Sequence, residues 1–422
     1  MEPDMKRFLL LLVLLLTTQH TYAATPLTLD EALATALKNH PQIIEAQEVL
    51  NIADARTGQT RANYYPQISI AADWSRGESY FAAQESTRLA QTNSAGLYLK
   101  QTIYDFGRTA GAVDAARNNR EAAHKALAVT QQDLALRVRS AFYLLLAAEK
   151  QVIAVSETVR ARDQVYRQAQ EFFNQGIRAK VDMARAEANL FAARTALIRA
   201  ENNREIARVE LANAMGLAYL GERTLLEPST PEQQLPERSL VQQEAFRNRL
   251  ELQQLSALKM SAAANLKSAR GSYLPLLTGT ASAGYADRDF PPSGNVWGVG
   301  LNLSIPLFSG FSSIEQVREA NANINTIEAR QNSLRLQITK EAESAWLGAN
   351  EAAARMVSTQ KEVAAANESK ALAEGRYQEG VGSIIEVTDA QSQALDAQTA
   401  NIQARYDYYT ALALLDRAIG KE

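Results

Sequence analysis

Two carboxylates three residues apart, Glu386 and Asp389 in the run Ile384-Ile385-Glu386-Val387-Thr388-Asp389, form the polar pair in this 422-residue chain best suited to act on charge. On a helix that spacing puts both on one face. Repeated by symmetry around a narrow opening, they would draw cations toward it. A plainer reading uses the same residues: Ser383 followed three positions later by Glu386 is a capping box, and acids in a first turn complement the helix dipole whatever they face. Enzyme chemistry has little to work with. No P-loop, no GxGxxG after a strand, no GxSxG elbow and no HExxH occurs. Of the histidines, His20 lies in the N-terminal signal segment described below, His40 sits beside Pro41 at an expected helix bend, and His124 falls in a polar helical stretch. All three read as solvated or packed side chains. The absence of cysteine removes disulfides, thiolate metal sites and a lipid-anchoring thiol. The scattered methionines form no metal relay, so neither metal nor cofactor is expected. A net charge of -3, from 44 basic and 47 acidic residues, supplies no field for gripping a phosphate backbone, and nucleic acid is not an expected partner.

The elements that must position these acids follow from an internal repeat. Phe173-Asn174-Gln175-Gly176 matches Tyr377-Gln378-Glu379-Gly380 at an offset of 204, which Ala186 and Ala390 also keep, while Tyr65-Pro66 and Leu274-Pro275 match at 209. The organisation read from this is a first copy over 25–216, a proline-containing linker over 217–239 with Pro228, Pro231 and Pro236, and a second copy over 240–422. No proline occurs from Gln67 to Glu227 or from Leu307 onward, which permits long uninterrupted helices. Leu127, Leu134, Val138, Ala141, Leu145, Ala148, Val152, Val155 and Val159 follow heptad spacing. A single helix from Arg108 to Phe173 would be roughly 100 Å long, far beyond a compact core. It should turn at Gly176 and return over Val181 to Met215. The second copy repeats this with Ile314 to Tyr377, a turn at Gly380, and Ile384 to Ile419, and each copy opens with a shorter helix, Asp30 to Arg61 and Leu240 to Arg270.

Residues 1–24 read as a secretory signal: Lys6 and Arg7, the apolar run Phe8 to Leu16, and a polar stretch ending in Tyr22-Ala23-Ala24. Beyond them no apolar stretch reaches the ~18 residues a membrane helix needs. Before each long helix lie two segments of period-two alternation around a polar loop. Ile68, Ile70, Ala72 and Trp74 pair with Leu97, Leu99 and Ile103, and Leu277, Gly279, Ala281 and Tyr285 with Trp297, Val299, Leu301, Leu303 and Ile305. Each segment is about ten residues, the length of a tilted transmembrane strand. The loops are expected at Gly77 to Asn93 and Ala286 to Asn295. Four strands do not close a barrel, so several chains would have to contribute to one.

On these residues the chain resembles the TolC family of outer-membrane efflux and secretion channels over essentially its whole mature length. The resemblance rests on the duplicated unit, on Tyr104-Asp105-Phe106-Gly107-Arg108 and Ile305-Pro306-Leu307-Phe308-Ser309-Gly310 at the strand-to-helix exits, and on the two aromatic-x-x-Gly turns. It implies a mostly α protein with membrane β: a homotrimer whose twelve strands form one outer-membrane β-barrel, continuous with a long periplasmic α-helical barrel. It further implies partners: a periplasmic adaptor, an inner-membrane RND or ABC transporter and outer-membrane lipid. The function would be passive conduction for tripartite efflux or type I secretion. By position, Glu386 and Asp389 correspond to an acidic ring at the periplasmic entrance, Asp182 and Tyr377 to the links that close it, and Gly176 and Gly380 to the turns where an adaptor docks. Gly382 stands where the family's link has an arginine, leaving Arg178 or Lys180 as substitutes. The rival reading is a soluble periplasmic coiled-coil scaffold or adaptor, which the heptads suit equally and the strands do not.

Overall fold

The computed structural model describes residues 26–82, 85–221, 223–228 and 235–421. The expected signal segment, 1–24, lies outside them. In chain order the elements are α1 (Leu29–Asn39), α2 (Pro41–Arg61), β1 (Gln67–Phe81), β2 (Ser86–Tyr104), α3 (Arg108–Asn174), α4 (Lys180–Ala214), α5 (Arg238–Asn248), α6 (Leu250–Gly271), β3 (Leu276–Asp287), β4 (Gly294–Ser304), α7 (Ser312–Gln378) and α8 (Ile384–Ile419). The long helices α3 and α7 each have 67 residues. No described helix is long and apolar enough to cross a membrane.

Packing divides the chain into two compact units that cut across the sequence repeat. One holds residues up to Pro41, Asp133–Pro236 and Ala345–Arg417; the other holds Gln42–Gln132, Glu237–Ser344 and Ala418–Glu422. In the first unit Leu134, Val138 and Leu145 of α3 are fully buried, as the heptad spacing requires. Facing helices contribute mainly alanine. Ala186, Ala193, Ala200, Ala207 and Ala214 of α4 are buried at every seventh position, and Ala390, Ala397 and Ala404 of α8 do the same. Side chains this small let helices approach closely, and each loses no rotamer freedom on burial.

The linker is tied down in this unit. Leu27 N–H donates to Thr224 O (2.8 Å) and Leu226 N–H to Leu27 O (2.9 Å). Glu227 takes a hydrogen bond from Tyr406 Oη (3.2 Å) and ion pairs with Lys150 and Arg405, both at 3.1 Å. Trp346 Nε1 donates to Pro236 O (2.9 Å).

Each opening helix is interrupted, which corrects the single helices expected over Asp30 to Arg61 and Leu240 to Arg270. The first break, at His40 (φ -69°, ψ 129°), falls where Pro41 disfavours helical backbone in the residue before it. The second, at Arg249, involves no proline. There the buried guanidinium is gripped by Glu251 (3.0 Å) and Glu341 (2.8 Å), with Nη1 donating to Ala418 O (3.4 Å).

The four strands form one antiparallel sheet in the order β1-β2-β3-β4. The first loop is shorter than expected: Gly77↔Ala90 through Phe81↔Ser86 are still paired, so 77–93 is mostly strand. Polar residues such as Arg76, Glu78, Thr87 and Gln91 break the alternation there, while the backbone ladder continues regardless of side-chain type.

Register gives the sheet two chemically opposite faces. Ile68, Leu99, Ala281 and Val299 lie in one cross-strand row and Ile70, Leu97, Ala283 and Trp297 in another. On the other face Gln67, Lys100, Thr280 and Gly300 form a row, as do Ser69, Tyr98, Ser282 and Gly298. The apolar face is uncovered, with Trp297 81% and Leu301 75% exposed. Tyr64, Tyr65, Tyr104, Phe106, Phe308 and Phe311 at one end of the strands and Trp74, Tyr285 and Trp297 toward the other are also exposed, as in interfacial aromatic belts.

Two outcomes follow. Leu301→Arg, on the apolar face, should cost roughly 2–4 kcal/mol of membrane stability, whereas Asn302→Arg, its neighbour on the polar face, should be tolerated; recovery of folded protein from outer-membrane fractions distinguishes them. For the linker, burial pushes the Glu227 carboxyl up, but Lys150, Arg405 and Tyr406 together outweigh it and hold it below the usual carboxylate range. A lowered folded-state value means stability that is present above the unfolded value and lost as pH falls through the folded one. Between about pH 5 and pH 3 the thermal midpoint of the native protein should therefore fall more steeply than that of Glu227→Gln.

Candidate functional site: the hairpin mouth

The acids sit where two helical hairpins turn, α3–α4 and α7–α8. Both turns have the same backbone chemistry. After α3, Gly176 N–H donates to Phe173 O (2.9 Å) and Ile177 N–H to Phe172 O (2.8 Å); after α7, Gly380 N–H donates to Tyr377 O and Val381 N–H to Arg376 O, both at 3.1 Å. This is the Schellman pattern, which consumes the last helical carbonyls and requires a left-handed residue. Gly176 (φ +74°) and Gly380 (φ +77°) supply it.

Beneath the turns the hairpins share one core: Val165 and Ala169 of α3, Ala186 of α4, Ala373 and Tyr377 of α7, and Ile384, Val387 and Ala390 of α8. Tyr377 is 1% exposed, and its ring meets Phe172 edge-on at 5.8 Å. Burial raises its phenol pKa, the nearby Asp182 carboxylate raises it further, and Arg178 acts the other way. Asp182, Tyr377 and Arg178 are thus brought together. The Tyr377 hydroxyl nevertheless has no hydrogen-bond partner among the described residues.

Glu386 and Asp389 are both exposed, on the face of α8 opposite buried Ile384, Val387, Ala390 and Gln391. The capping box does not form: Ser383 Oγ caps the helix by accepting from Ile385 N–H (3.1 Å) instead of Glu386 N–H, and the Glu386 side chain turns to Arg376, 3.4 Å away. With these side chains 49% and 59% exposed, that pair contributes little. Among the described residues no hydrogen bond or ion pair engages Asp389.

Past the glycines the two turns diverge. Arg178 and Gly382 stand at matched positions, at the same 204-residue offset. Arg178 Nη2 donates to Gly380 O (2.9 Å) and Gly382 O (2.8 Å). Gly382 is buried, its N–H donates to Arg376 O (2.8 Å), and a Cβ placed on it would lie 2.8 Å from Tyr377 N and 2.9 Å from Arg376 C. A side chain fits there only if backbone moves, whereas at the first turn Arg178 carries one while its N–H makes the matching bond to Phe172 O (3.2 Å).

Sequence reading overlooked two polar links between the hairpins. Arg162 Nη1 donates to Asn189 O (3.1 Å) and its Nη2 to Ser392 Oγ (3.0 Å), while Gln151 Nε2 donates to Thr399 Oγ1 (2.9 Å). Burial lowers the Arg162 pKa, and Asp396 opposes that. A signal for Arg162 was present: it occupies a seam position between Val159 and Tyr166, where a charge needs partners across the interface. At the turn, Gly382→Ala should destabilise by about 1–3 kcal/mol, the usual cost of overpacking, because its methyl meets backbone rather than a movable side chain. A lowered thermal midpoint by circular dichroism in detergent would show it.

Comparison with known proteins agrees with these features. The family model described as outer membrane efflux protein matches residues 32–217 and 241–421. The outer membrane efflux protein BepC of Brucella suis is 25% identical over 414 residues, covering 94% of this chain and 86% of BepC. The outer membrane protein TolC of Vibrio cholerae is 25% identical over 401 residues, covering 91% and 89%. Among solved structures, the outer membrane protein VceC from Vibrio cholerae superimposes with a TM-score of 0.81 at 18% identity, over 93% of this chain and 96% of that one. With strands of two-faced register, long paired helices and a family match over most of its length, the chain belongs to the outer membrane efflux protein family and is an outer-membrane efflux channel protein.

Proposed function

We propose that three copies of this chain assemble into one passive duct, each contributing the two sequence copies over 25–216 and 240–422. The observation that carries the reading is the sheet: four strands with one bare apolar face and two outer edges that no described strand pairs. Lipid tolerates no unsatisfied strand edge, so the sheet closes only with strands from other copies. Three copies would give twelve strands, with the polar face and Lys100 turned to the bore and the apolar face to outer-membrane lipid. A soluble scaffold would leave that apolar face against water.

In this reading the chain performs no chemistry. An inner-membrane transporter of the RND or ABC class supplies the energy, and a periplasmic adaptor joins it to the duct at the turns around Gly176 and Gly380. Substrate of the transporter then crosses the outer membrane by diffusion, in tripartite efflux or type I secretion. Entry is controlled at the mouth, where Glu386 and Asp389 of three copies would ring the opening with six carboxylates. Asp182 and Tyr377 act as links of the closed state, and adaptor binding favours the open state through differential contacts.

Two measurements test this. The protein should run as a detergent-stable trimer from outer-membrane fractions; monomer in the soluble fraction would defeat the reading. In planar bilayers Glu386→Gln combined with Asp389→Asn should reduce cation selectivity, because the fixed charge facing the permeating ion is gone. Unchanged selectivity would remove the acids from the pore.

A further inference from the structure

We propose that Phe311 seats one copy of this chain on the next by packing over Gly58 of that next copy, where the sheet meets the helices. The inference rests on the assembly proposed above and adds the surface and the register through which it forms.

The two strand-to-helix exits are one backbone used twice, at the 204-residue offset. Arg108 N–H donates to Asp105 O and Ser312 N–H to Ser309 O, both at 3.2 Å, while Asp105 Oδ2 accepts from Thr109 N–H (2.7 Å) as Ser309 Oγ does from Ser313 N–H (3.4 Å). Each exit has two successive left-handed residues, Phe106 and Gly107 in the first, Gly310 and Phe311 in the second. The first exit is covered by its own chain. Arg108 Nη2 donates to Gly271 O (3.0 Å), Ser268 Oγ to Arg108 O (2.9 Å), and a Cβ on Gly107 would lie 3.6 Å from Lys267 Cε. The second exit is uncovered: Phe308 and Phe311 meet edge-on at 5.5 Å, and Phe311 is 64% exposed. Left-handed backbone penalises a side chain, so a phenylalanine held there calls for a compensating contact.

The repeat names the occupant. Helix α6, which covers the first exit, corresponds to α2 at the 209-residue offset, and Lys267 corresponds to Gly58. Within one chain α2 leads into β1, at the opposite edge of the sheet from β4, so the α2 that covers the second exit belongs to another copy. There the bulk is exchanged across the seam. Inside the chain a glycine on the exit faces a lysine on the helix; between copies a phenylalanine on the exit faces Gly58, where a Cβ would meet no described atom within 4 Å. Further along, a Cβ on Gly111 would lie 2.8 Å from Ser268 N, so α3 and α6 touch backbone to backbone. The counterpart of Gly111 is Glu315, which holds the helices of two copies further apart, and Gln59 replaces Ser268 with the longer reach that gap needs. Against α6 and its Lys267, Phe311 would set bulk on bulk, so the exchange also selects α2 as its partner.

The same offsets fix how the open strand edges pair. Tyr98↔Ser282 within the chain becomes Asn302↔Asp73 between copies, and Leu97↔Ala283 becomes Leu301↔Trp74. This register sets polar against polar and apolar against apolar, which a shift of one residue would reverse. The offsets carry no information on polarity, so the agreement of the faces supports the pairing independently.

Full-length protein extracted from outer membranes in detergent tests the seat. Phe311→Gly relieves the left-handed backbone, so it should leave the helical circular dichroism intact; yet at the temperature where half the wild-type trimer survives, trimer should fall about tenfold, the scale of losing an aromatic interface anchor. Phe311→Gly combined with Gly58→Lys rebuilds the Gly107 and Lys267 pair across the seam and should restore trimer to within about twofold. The chain has no cysteine, so Asn302→Cys with Asp73→Cys should oxidise to a ladder ending at trimer, whereas Asn302→Cys with Ala71→Cys, two residues out of register, should not. Trimer unaffected by Phe311→Gly, or no recovery on adding Gly58→Lys, would overturn the seat while leaving the duct standing. Weaker membrane retention of Phe311→Gly with its trimer intact would assign the ring to lipid and overturn the seat equally. A wild-type protein that is itself monomeric would remove the assembly, and the seat with it.

Discussion

Helices of 67 residues have no compact interior to enter, so their stability depends on close contact with partners along their flanks. Alanine at seven-residue intervals on α4 and α8 meets that constraint by keeping the partners close. A seam of leucines would bury more area per residue and hold the helices further apart. The alanine seam buries less and relies on fit, which leaves little tolerance where two hairpins meet. Arg162 and Gln151 are consistent with this: each inserts a polar donor into the contact, and each has an acceptor on α8 to receive it. Unpartnered, either donor would cost more than the packing around it returns.

Much of the architecture was legible because it depends on periodicity, and less of the site was, because it depends on contacts between distant residues. Heptads and the lack of proline located the long helices to within two residues at their ends. Alternation located the inner halves of the strands but missed 77–81 and 86–93, where pairing persists through polar residues and the ladder has no side-chain signature. The break at Arg249 has no proline beside it to signal it, and one of the ion pairs there reaches Glu341, far along the chain. At the mouth, residue type identified Glu386 and Asp389, but nothing local indicated that Arg376 would sit beside the first and not the second.

The repeat explains both the similarity of the two turns and the place where it fails. Identical Schellman bonding at Gly176 and Gly380 shows one backbone solution used twice. Two residues further on, the copies have opposite duties: Arg178 donates and Gly382 accepts. Asp182 and Glu386 keep an acid at matched positions, while Phe173 and Tyr377 differ by a hydroxyl and Arg185 and Asp389 in the sign of their charge. The second hairpin carries two acids, Glu386 and Asp389, where the first has Asp182 and Arg185.

That divergence has a steric side. In the α7–α8 turn, where Gly382 N–H reaches Arg376 O at 2.8 Å, a Cβ on Gly382 would meet the backbone of Arg376 and Tyr377, whereas in the first turn Arg178 makes the matching bond to Phe172 O at a longer 3.2 Å and keeps its side chain. A basic residue can then reach the turn only from elsewhere, and the neighbouring hairpin is held near by Val165, Ala169 and Ala186 packing on Tyr377 and Val387. An arginine is long enough to cross that contact, and its planar, permanently charged head suits carbonyl acceptors better than a lysine's point charge. The tight turn and the crossing arginine are therefore two parts of one solution, and changing either alone would leave the other without its partner.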